Sequence, residues 1–77
     1  MKISVHHLDI REMIVPITLL KVTQAFRKIK PGEFLEILGS DSDTRKDLFH
    51  VLNSFHYKLI DFEKKNSFYR IRIKKER

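Results

Sequence analysis

The amino-acid sequence predicts an α+β fold, a two-layer α/β sandwich in which two helices cover one face of a four-stranded mixed sheet. Three observations predict it. Two segments repeat apolar residues at helical spacing, four short segments have the character of strands, and their order along the chain is β-α-β-α-β-β. A chain of 77 residues has material for one small core, so we expect a single domain over residues 1–77.

The first helix is expected between Pro16 and Lys30. Proline suits the first helical turn, where its missing N–H has no intrahelical partner, and the Pro-Gly pair at 31–32 ends the helix. Apolar residues at helical spacing form its buried stripe, which consists of Leu19, Val22, Ala25, Phe26 and Ile29. The solvent-facing side carries Lys21, Gln24 and Lys28.

The second helix follows a turn of capping residues, GSDSD at 39–43, and is expected to run to about Phe55. Its apolar stripe consists of Leu48, Val51, Leu52 and Phe55. Its wet face carries Asp43, Lys46, His50 and Asn53. Both helices are amphipathic, so each is expected to pack one side onto the sheet.

The four strands are expected in residues 2–8, 33–38, 56–63 and 68–75. The last two are joined by a short turn and form an antiparallel hairpin, which makes the sheet mixed. Alternation along the last strand turns its apolar residues toward the core and its basic residues toward solvent. The inward set is Tyr69, Ile71 and Ile73, and the outward set is Arg70, Arg72 and Lys74.

Positive charge is concentrated in the last quarter of the chain. Residues 1–57 carry 8 basic and 7 acidic side chains, a net charge of +1, whereas residues 58–77 carry 8 and 3, a net charge of +5. The outward basic row has a spacing of about 6–7 Å, close to the phosphate spacing of an extended nucleic-acid strand. Two interpretations stay open: a solvated face that discourages aggregation, or a nucleic-acid-binding face that also uses Phe68 and Lys75.

The composition excludes several classes of chemistry. The chain has no cysteine, hence no disulfide, no thiolate nucleophile and no thiolate metal ligand. His6 and His7 are neighbours on a strand and point to opposite faces, and no set of His, Asp or Glu has zinc-ligand spacing. We therefore expect no metal, no cofactor and no enzyme activity. With no signal peptide and no apolar run of membrane length, we expect a cytoplasmic location.

Three segments together resemble the TusA/SirA-like family of small sulfur-carrier proteins. They are HLDIREMIVPIT at 7–18, KPGEFLEIL at 30–38 and SDSDTRKDL at 40–48. The family has a Leu-Asp pair after its first strand, then a Cys-Pro-x-Pro motif that opens the first helix. The resemblance covers nearly the whole chain and implies the family's two-layer fold.

The resemblance departs from the family at the residue that carries its chemistry. Leu8 and Asp9 match the Leu-Asp pair and Pro16 matches the first proline, but Val15 takes the place of the cysteine and Thr18 that of the second proline. In the family, the cysteine at a helix start is held as a thiolate and carries sulfur as a persulfide. Valine has no thiol, and a lone threonine is a poor nucleophile, so we expect this chain by itself to carry no persulfide.

The resemblance therefore implies a non-catalytic protein-interaction or regulatory module that has kept the family's docking surface for proteins of a sulfur relay or for another protein. The predicted protein-binding residues are Arg11, Met13, Ile14, Val15, Lys21, Gln24 and Lys28. The alternative is an RNA- or DNA-binding module that uses the outer sheet face, with Phe68, Arg70, Arg72, Lys74 and Lys75. Attraction to anionic membrane surfaces through the same charges is a weaker third reading.

Overall fold

The fold is described from a computed structural model, in which residues 4–11, 13–14, 17–40 and 42–77 are described, the side chains of 42–44 excepted. Two helices and four strands follow one another in the predicted order. They are β1 (Val5–Asp9), α1 (Ile17–Lys28), β2 (Phe34–Gly39), α2 (Ser42–Leu52), β3 (Tyr57–Lys64) and β4 (Tyr69–Lys75). β2 and β3 are shifted by one residue from their predicted ranges, β4 starts one residue late, and β1 lies C-terminal of its predicted start.

The four strands form one mixed sheet in the order β1-β2-β4-β3. β1 and β2 are parallel neighbours, and β4 lies antiparallel between β2 and β3. β1 and β3 are therefore the two edge strands. This arrangement confirms the predicted fold class, a four-stranded mixed sheet with two helices.

The core lies between the helices and one face of the two central strands. Apolar residues alternate along β2 and β4 and point to the helices because successive side chains of a strand face opposite ways. Those with at most 1 % exposure are Leu35, Ile37, Ile71 and Ile73, and they meet Val22, Phe26, Leu48 and Leu52 of the helices. The rings of Phe26 and Phe55 pack with centroids 5.0 Å apart, which joins α1 to the turn that follows α2.

Both helices end earlier than predicted, for reasons of local hydrogen bonding. α1 ends at Lys28 rather than at Lys30, since the proline at 31 disfavours helical backbone before it. α2 ends at Leu52 rather than near Phe55, and residues 54–55 close with tighter bonds, for example from Phe55 N–H to the Leu52 carbonyl at 2.9 Å. Phe55 nonetheless packs against the core, as its place in the apolar stripe predicts.

Lys75 closes the C-terminal end of α1, and this corrects its predicted place in the outer basic row. Its side chain lies on the helix side of the sheet, where Nζ donates to the carbonyls of Phe26 and Ile29, both at 3.0 Å. The same ammonium lies 5.2 Å from the Phe26 ring centroid. A cation suits this place because the last carbonyls of a helix have no intrahelical partner and carry partial negative charge.

We expect Lys75→Met to lower the free energy of unfolding by about 1 kcal/mol, because two helix-end carbonyls lose a charged donor. Urea denaturation measures the change, and hydrogen exchange should show faster opening of the last turn of α1. Lys74→Met is the matched control, since Lys74 alternates to the outer face and should cost much less. Equal losses in the two variants would contradict the capping role.

Candidate docking surface at the start of helix α1

The loop between β1 and α1 is held by contacts of its first residues. Ile10 is buried, and its N–H donates to the Leu38 carbonyl at 2.8 Å, which extends the pairing of β1 with β2. Arg11 folds back onto Asp9: its backbone N–H and its Nε each lie 3.0 Å from Oδ1, and Nη2 lies 2.8 Å from Oδ2. These bonds hold the pKa of Asp9 below its ordinary value. The Ser40 hydroxyl donates to the Arg11 carbonyl at 2.9 Å and ties the loop to the end of β2.

Four apolar side chains near the start of α1 face solvent rather than the core. Ile14 is 69 % exposed, Leu20 56 %, Ile17 46 % and Met13 38 %. The Thr18 N–H donates to the Ile14 carbonyl at 3.1 Å, a bond with the i to i+4 spacing of a helix, so Ile14 lies one turn before Thr18. We call Met13, Ile14, Ile17 and Leu20 the docking patch.

The polar side chains on the exposed side of α1 continue the docking patch toward the C-terminal end of the helix. Lys21, Gln24 and Lys28 are all exposed, as predicted. Residues at i, i+3, i+4 and i+7 lie on one side of a helix, so the exposed side changes from apolar to cationic along its axis. An apolar centre beside a polar rim is the composition of a protein interface.

The sequence predicted some of the exposed residues near the start of α1 and not others. Arg11, Met13 and Ile14 are exposed in the predicted loop, although Arg11 is engaged by Asp9 and stacks 5.8 Å from the Phe68 ring centroid. Val15 and Pro16 lie outside the described residues. Ile17 and Leu20 were not among the predicted docking residues. Their phase on the helix, off the Val22 and Phe26 stripe, was the signal that could have found them.

Thr18 belongs to the buried side of α1. Its side chain is fully buried, and its hydroxyl has no hydrogen-bond partner among the residues that the structure describes. A buried hydroxyl without a partner costs free energy because it has given up its bonds to water. Such a hydroxyl also has no access to a substrate in solution.

We expect Thr18→Val to raise the free energy of unfolding by about 1 kcal/mol, since valine keeps the shape of threonine and removes the unpartnered hydroxyl. Thr18→Ser keeps the hydroxyl and loses a buried methyl group, so it should lower stability by about 1 kcal/mol. Thermal and urea unfolding of both variants provide the measurement. A valine variant less stable than the parent would show that the hydroxyl does have a partner.

The predicted nucleic-acid face is largely neutralised by carboxylates. Arg70 donates to Glu63 at 2.6 Å and lies 3.4 Å from an oxygen of Asp61. Arg72 donates to Glu36 through Nη2 and, at 3.2 Å, through Nε. Two of the three cations in the row are thus ion-paired. Within the described residues, Lys74 is the only one of the three without a carboxylate partner.

The other members of that prediction are also used inside the fold. Phe68 is half-buried beneath the guanidinium of Arg11, and Lys75 caps α1. Lys74 faces outward next to Lys58 on the neighbouring strand. Nucleic-acid binding therefore stays a prediction. Lys58 and Lys74 would have to provide the binding, instead of the five residues that the sequence suggested.

The described residues form no metal-ligand cluster and no membrane-spanning helix. Among the described residues, no group of three or more His, Asp or Glu side chains comes together as metal ligands would. Within the same part of the chain, neither helix has the length and apolar character needed to cross a bilayer.

The open cleft nearest the docking patch is lined by Asp9, Arg11, Met13, Ser40 and Ser67.

Comparison with known proteins identifies the family. The family model described as sulfurtransferase TusA matches residues 6–75. A putative sulfur carrier protein of Archaeoglobus fulgidus is 27 % identical over 67 residues, which cover 87 % of this chain and 92 % of that protein. The sulfur carrier protein TusA of Buchnera aphidicola is 29 % identical over 68 residues, covering 88 % and 86 %.

A solved structure agrees on the fold. The crystal structure of a SirA-like protein from Desulfitobacterium hafniense superposes with a TM-score of 0.72 at 16 % identity, covering 95 % of this chain and 99 % of that one. At this identity the superposition bears on the fold alone. Together with the family match over residues 6–75, it leads to one conclusion: the chain belongs to the TusA family of sulfur carriers.

Proposed function

We propose that this chain is a non-catalytic docking module of the TusA family, which binds a protein of a sulfur relay through the start of α1. The observation that carries the proposal is the docking patch. Four large apolar side chains, 38 % to 69 % exposed, lie close in sequence to Val15, the position at which the resemblance places the family's reactive cysteine. Clustered exposed apolar side chains are characteristic of binding surfaces.

The shape and chemistry of the patch suit a groove on a partner protein. Ile14, Ile17 and Leu20 follow each other at helical spacing, the arrangement by which a helix places anchors into an apolar groove. Lys21 and Lys28 on the same side would meet acidic residues at the rim of that groove. A partner with an apolar groove and an acidic margin is therefore the best fit.

The side chains available to the chain support the non-catalytic part of this proposal. A persulfide forms on a thiol, and none of the 77 residues is cysteine. Val15, at the position of the family's cysteine, has only hydrocarbon to offer, and the Thr18 hydroxyl is buried. The module would then regulate a relay, or serve as a subunit of it, by occupying a docking site. We keep the predicted cytoplasmic location as part of this proposal.

Binding can be measured with the protein that loads sulfur onto a cysteine-bearing TusA-family carrier of the same cell. We expect the labelled chain to bind it, and Leu20→Asp to weaken binding at least about tenfold, because an anchor lost from an interface costs more than about 1.4 kcal/mol. Asn53→Asp is the control, since it adds the same negative charge at an exposed residue that lies outside both the docking patch and β3. Equal affinities of the parent and Leu20→Asp would refute the docking patch.

A further inference from the structure

The free edge of β3 is the second exposed apolar feature of the molecule. β3 is eight residues long and lies at the edge of the sheet, with β4 as its only neighbour within the described part of the chain. Leu59 is 47 % exposed, Ile60 42 % and Phe62 36 %. A long edge strand presents unpaired backbone groups, and apolar side chains beside them favour pairing with another strand.

A β-bulge in the middle of β3 decides which residues share a face. Leu59 pairs with Ile73 of β4, and Asp61 with Arg72, so one residue of β3, Ile60, is extra. Lys58 and Glu63 are five residues apart and would otherwise point to opposite faces. Because of the bulge, their partners on β4 are Lys74 and Arg70, which are four apart, so both point to the outer face.

The same shift brings two apolar residues onto the helix side. Leu59 pairs with Ile73 and Phe62 with Ile71, and both of these β4 residues are buried in the core. Leu59 and Phe62 therefore face inward together, although they are three residues apart. Their partners on the regular strand β4 are two residues apart, so the two pairs belong to the same class of the antiparallel ladder. The backbone N–H and C=O groups of Leu59 and Phe62 are therefore both directed to β4 or both directed to the free edge.

We propose that β3 pairs antiparallel with β3 of a second copy of this chain, in the register that places Lys58 opposite Glu63 and Leu59 opposite Phe62. A two-fold axis perpendicular to the sheet relates the copies, so each pair occurs twice and the two sheets join into one of eight strands. Opposed residues of an antiparallel pair must lie on the same face. Without the bulge, Lys58 and Glu63, and likewise Leu59 and Phe62, would lie on opposite faces; with it, each pair lies on one face.

The side chains brought together in this register are complementary. Lys58 has no ion-pair partner among the described residues, and it would meet Glu63 on the outer face. Glu63 pairs with Lys65 and accepts a hydrogen bond from Arg70. These two cations hold the pKa of Glu63 below its ordinary value, so its carboxylate is charged and can accept a further cation. On the inner face, Leu59 and Phe62 of the two copies would cover each other. Neighbouring registers fail the same-face condition: a shift of one residue would place Lys58, on the outer face, opposite Lys64, which points to the helix side.

A chain without cysteine allows this register to be tested by disulfide trapping. We prepare Lys58→Cys and Glu63→Cys as separate proteins, mix them, and oxidise mildly. Opposed residues have Cβ atoms about 4.5–5.5 Å apart, which a small backbone movement brings within reach of a disulfide, whereas two copies of one variant hold their thiols about 14 Å apart. We expect the mixture to yield a cross-linked dimer several times faster than either variant alone.

The register control is a mixture of Lys58→Cys with Lys64→Cys, whose side chains lie on opposite faces of β3. Cross-linking as fast in this mixture as with Glu63→Cys would overturn the proposal, because it would report random collision. So would the absence of a heterodimer in the first mixture.

Sedimentation of the unmodified chain gives a second and independent measurement. We expect a dimer whose population rises with concentration, and its loss in Leu59→Lys. Leu20→Lys is the matched control at a similarly exposed leucine of α1 and should leave the dimer intact. A chain that stays monomeric at every concentration, or a dimer lost with Leu20→Lys instead, would contradict pairing through β3. These results do not depend on the docking patch, so the two proposals can fail separately.

Discussion

Arg72→Met is expected to lower the free energy of unfolding by about 2 kcal/mol, because it leaves the carboxylate of Glu36 without its main donor. Glu36 lies on the central strand β2, where its side chain is only 11 % exposed. Arg72 reaches it from β4 through two N–H groups. Chemical denaturation at neutral pH measures the loss.

The same variant should change how stability depends on pH. The hydrogen bonds from Arg72, and then the charges of Arg72, His7 and Arg70, hold the pKa of Glu36 below its ordinary value against the opposing effect of burial. A carboxyl whose pKa is lowered by folding stabilises the fold above its unfolded pKa, and this stabilisation is lost as the pH falls through the folded value. The difference in stability between parent and Arg72→Met should therefore shrink as the pH falls below about 4.5.

Arg70→Met is the control for this prediction. Its partners Asp61 and Glu63 are more exposed than Glu36, so the loss should stay below about 1 kcal/mol. Joint replacement, Glu36→Leu with Arg72→Met, removes both charges and should recover most of the stability. Equal losses at Arg70 and Arg72, or a difference that does not vary with pH, would show that the Glu36 pair contributes nothing specific.

Gly39→Ala is expected to destabilise the fold by about 2–3 kcal/mol, because a methyl group has no room there. A Cβ at Gly39 would collide with the ring and hydroxyl of Tyr69, which is directly opposite on β4 and itself buried. The ring also stacks on Phe62, with centroids 6.4 Å apart, so it cannot move without disturbing β3. Thermal unfolding measures the effect, with near-ultraviolet circular dichroism reporting on the tyrosine.

The other glycine provides the comparison. Gly32 has a φ of 90° and open space around it, so substitution there costs only backbone strain. Asparagine tolerates this region of backbone space, and Gly32→Asn should cost less than Gly39→Ala. If Gly39→Ala were as stable as the parent, the Tyr69 ring would not pack against Gly39 as closely as the structure shows.

The order of elements and the inward residues could be predicted from the sequence because both rest on periodicity. The alternation of Tyr69, Ile71 and Ile73 sets the buried face of β4, and the spacing of Val22 and Phe26 sets that of α1. The ends of the helices were missed by two or three residues. They depend on local backbone bonding that periodicity does not reveal, such as the i to i+3 bonds that close residues 54–55.

The electrostatic prediction was less accurate because charge pairing depends on strand order. The sequence shows a basic row along β4, but the insertion of β4 between β2 and β3 brings the row beside Glu36, Asp61 and Glu63. Only the register reveals that Arg70 and Arg72 are paired. Counting charges in the last quarter of the chain therefore overestimates the positive field of the outer sheet face.

Two of the four exposed apolar residues in the proposed docking patch were identified from the sequence, and the reason is also physical. Met13 and Ile14 were identifiable as apolar residues in a loop, whereas Ile17 and Leu20 lie in a helix whose apolar content exceeds what one buried stripe can use. Surplus apolar residues on an amphipathic helix indicate a second contact surface. Here they extend the loop residues into one stripe along the exposed side of α1.

Competition in a reconstituted relay shows whether docking of this chain blocks sulfur transfer. A cysteine-bearing TusA-family carrier is loaded with sulfur by its donor protein while this chain is added in increasing amounts. We expect the parent to slow the transfer without itself acquiring sulfur. Leu20→Asp should not slow it, whereas Asn53→Asp should slow it as the parent does. Transfer at an unchanged rate with saturating parent, or covalently bound sulfur on this chain, would contradict the proposal.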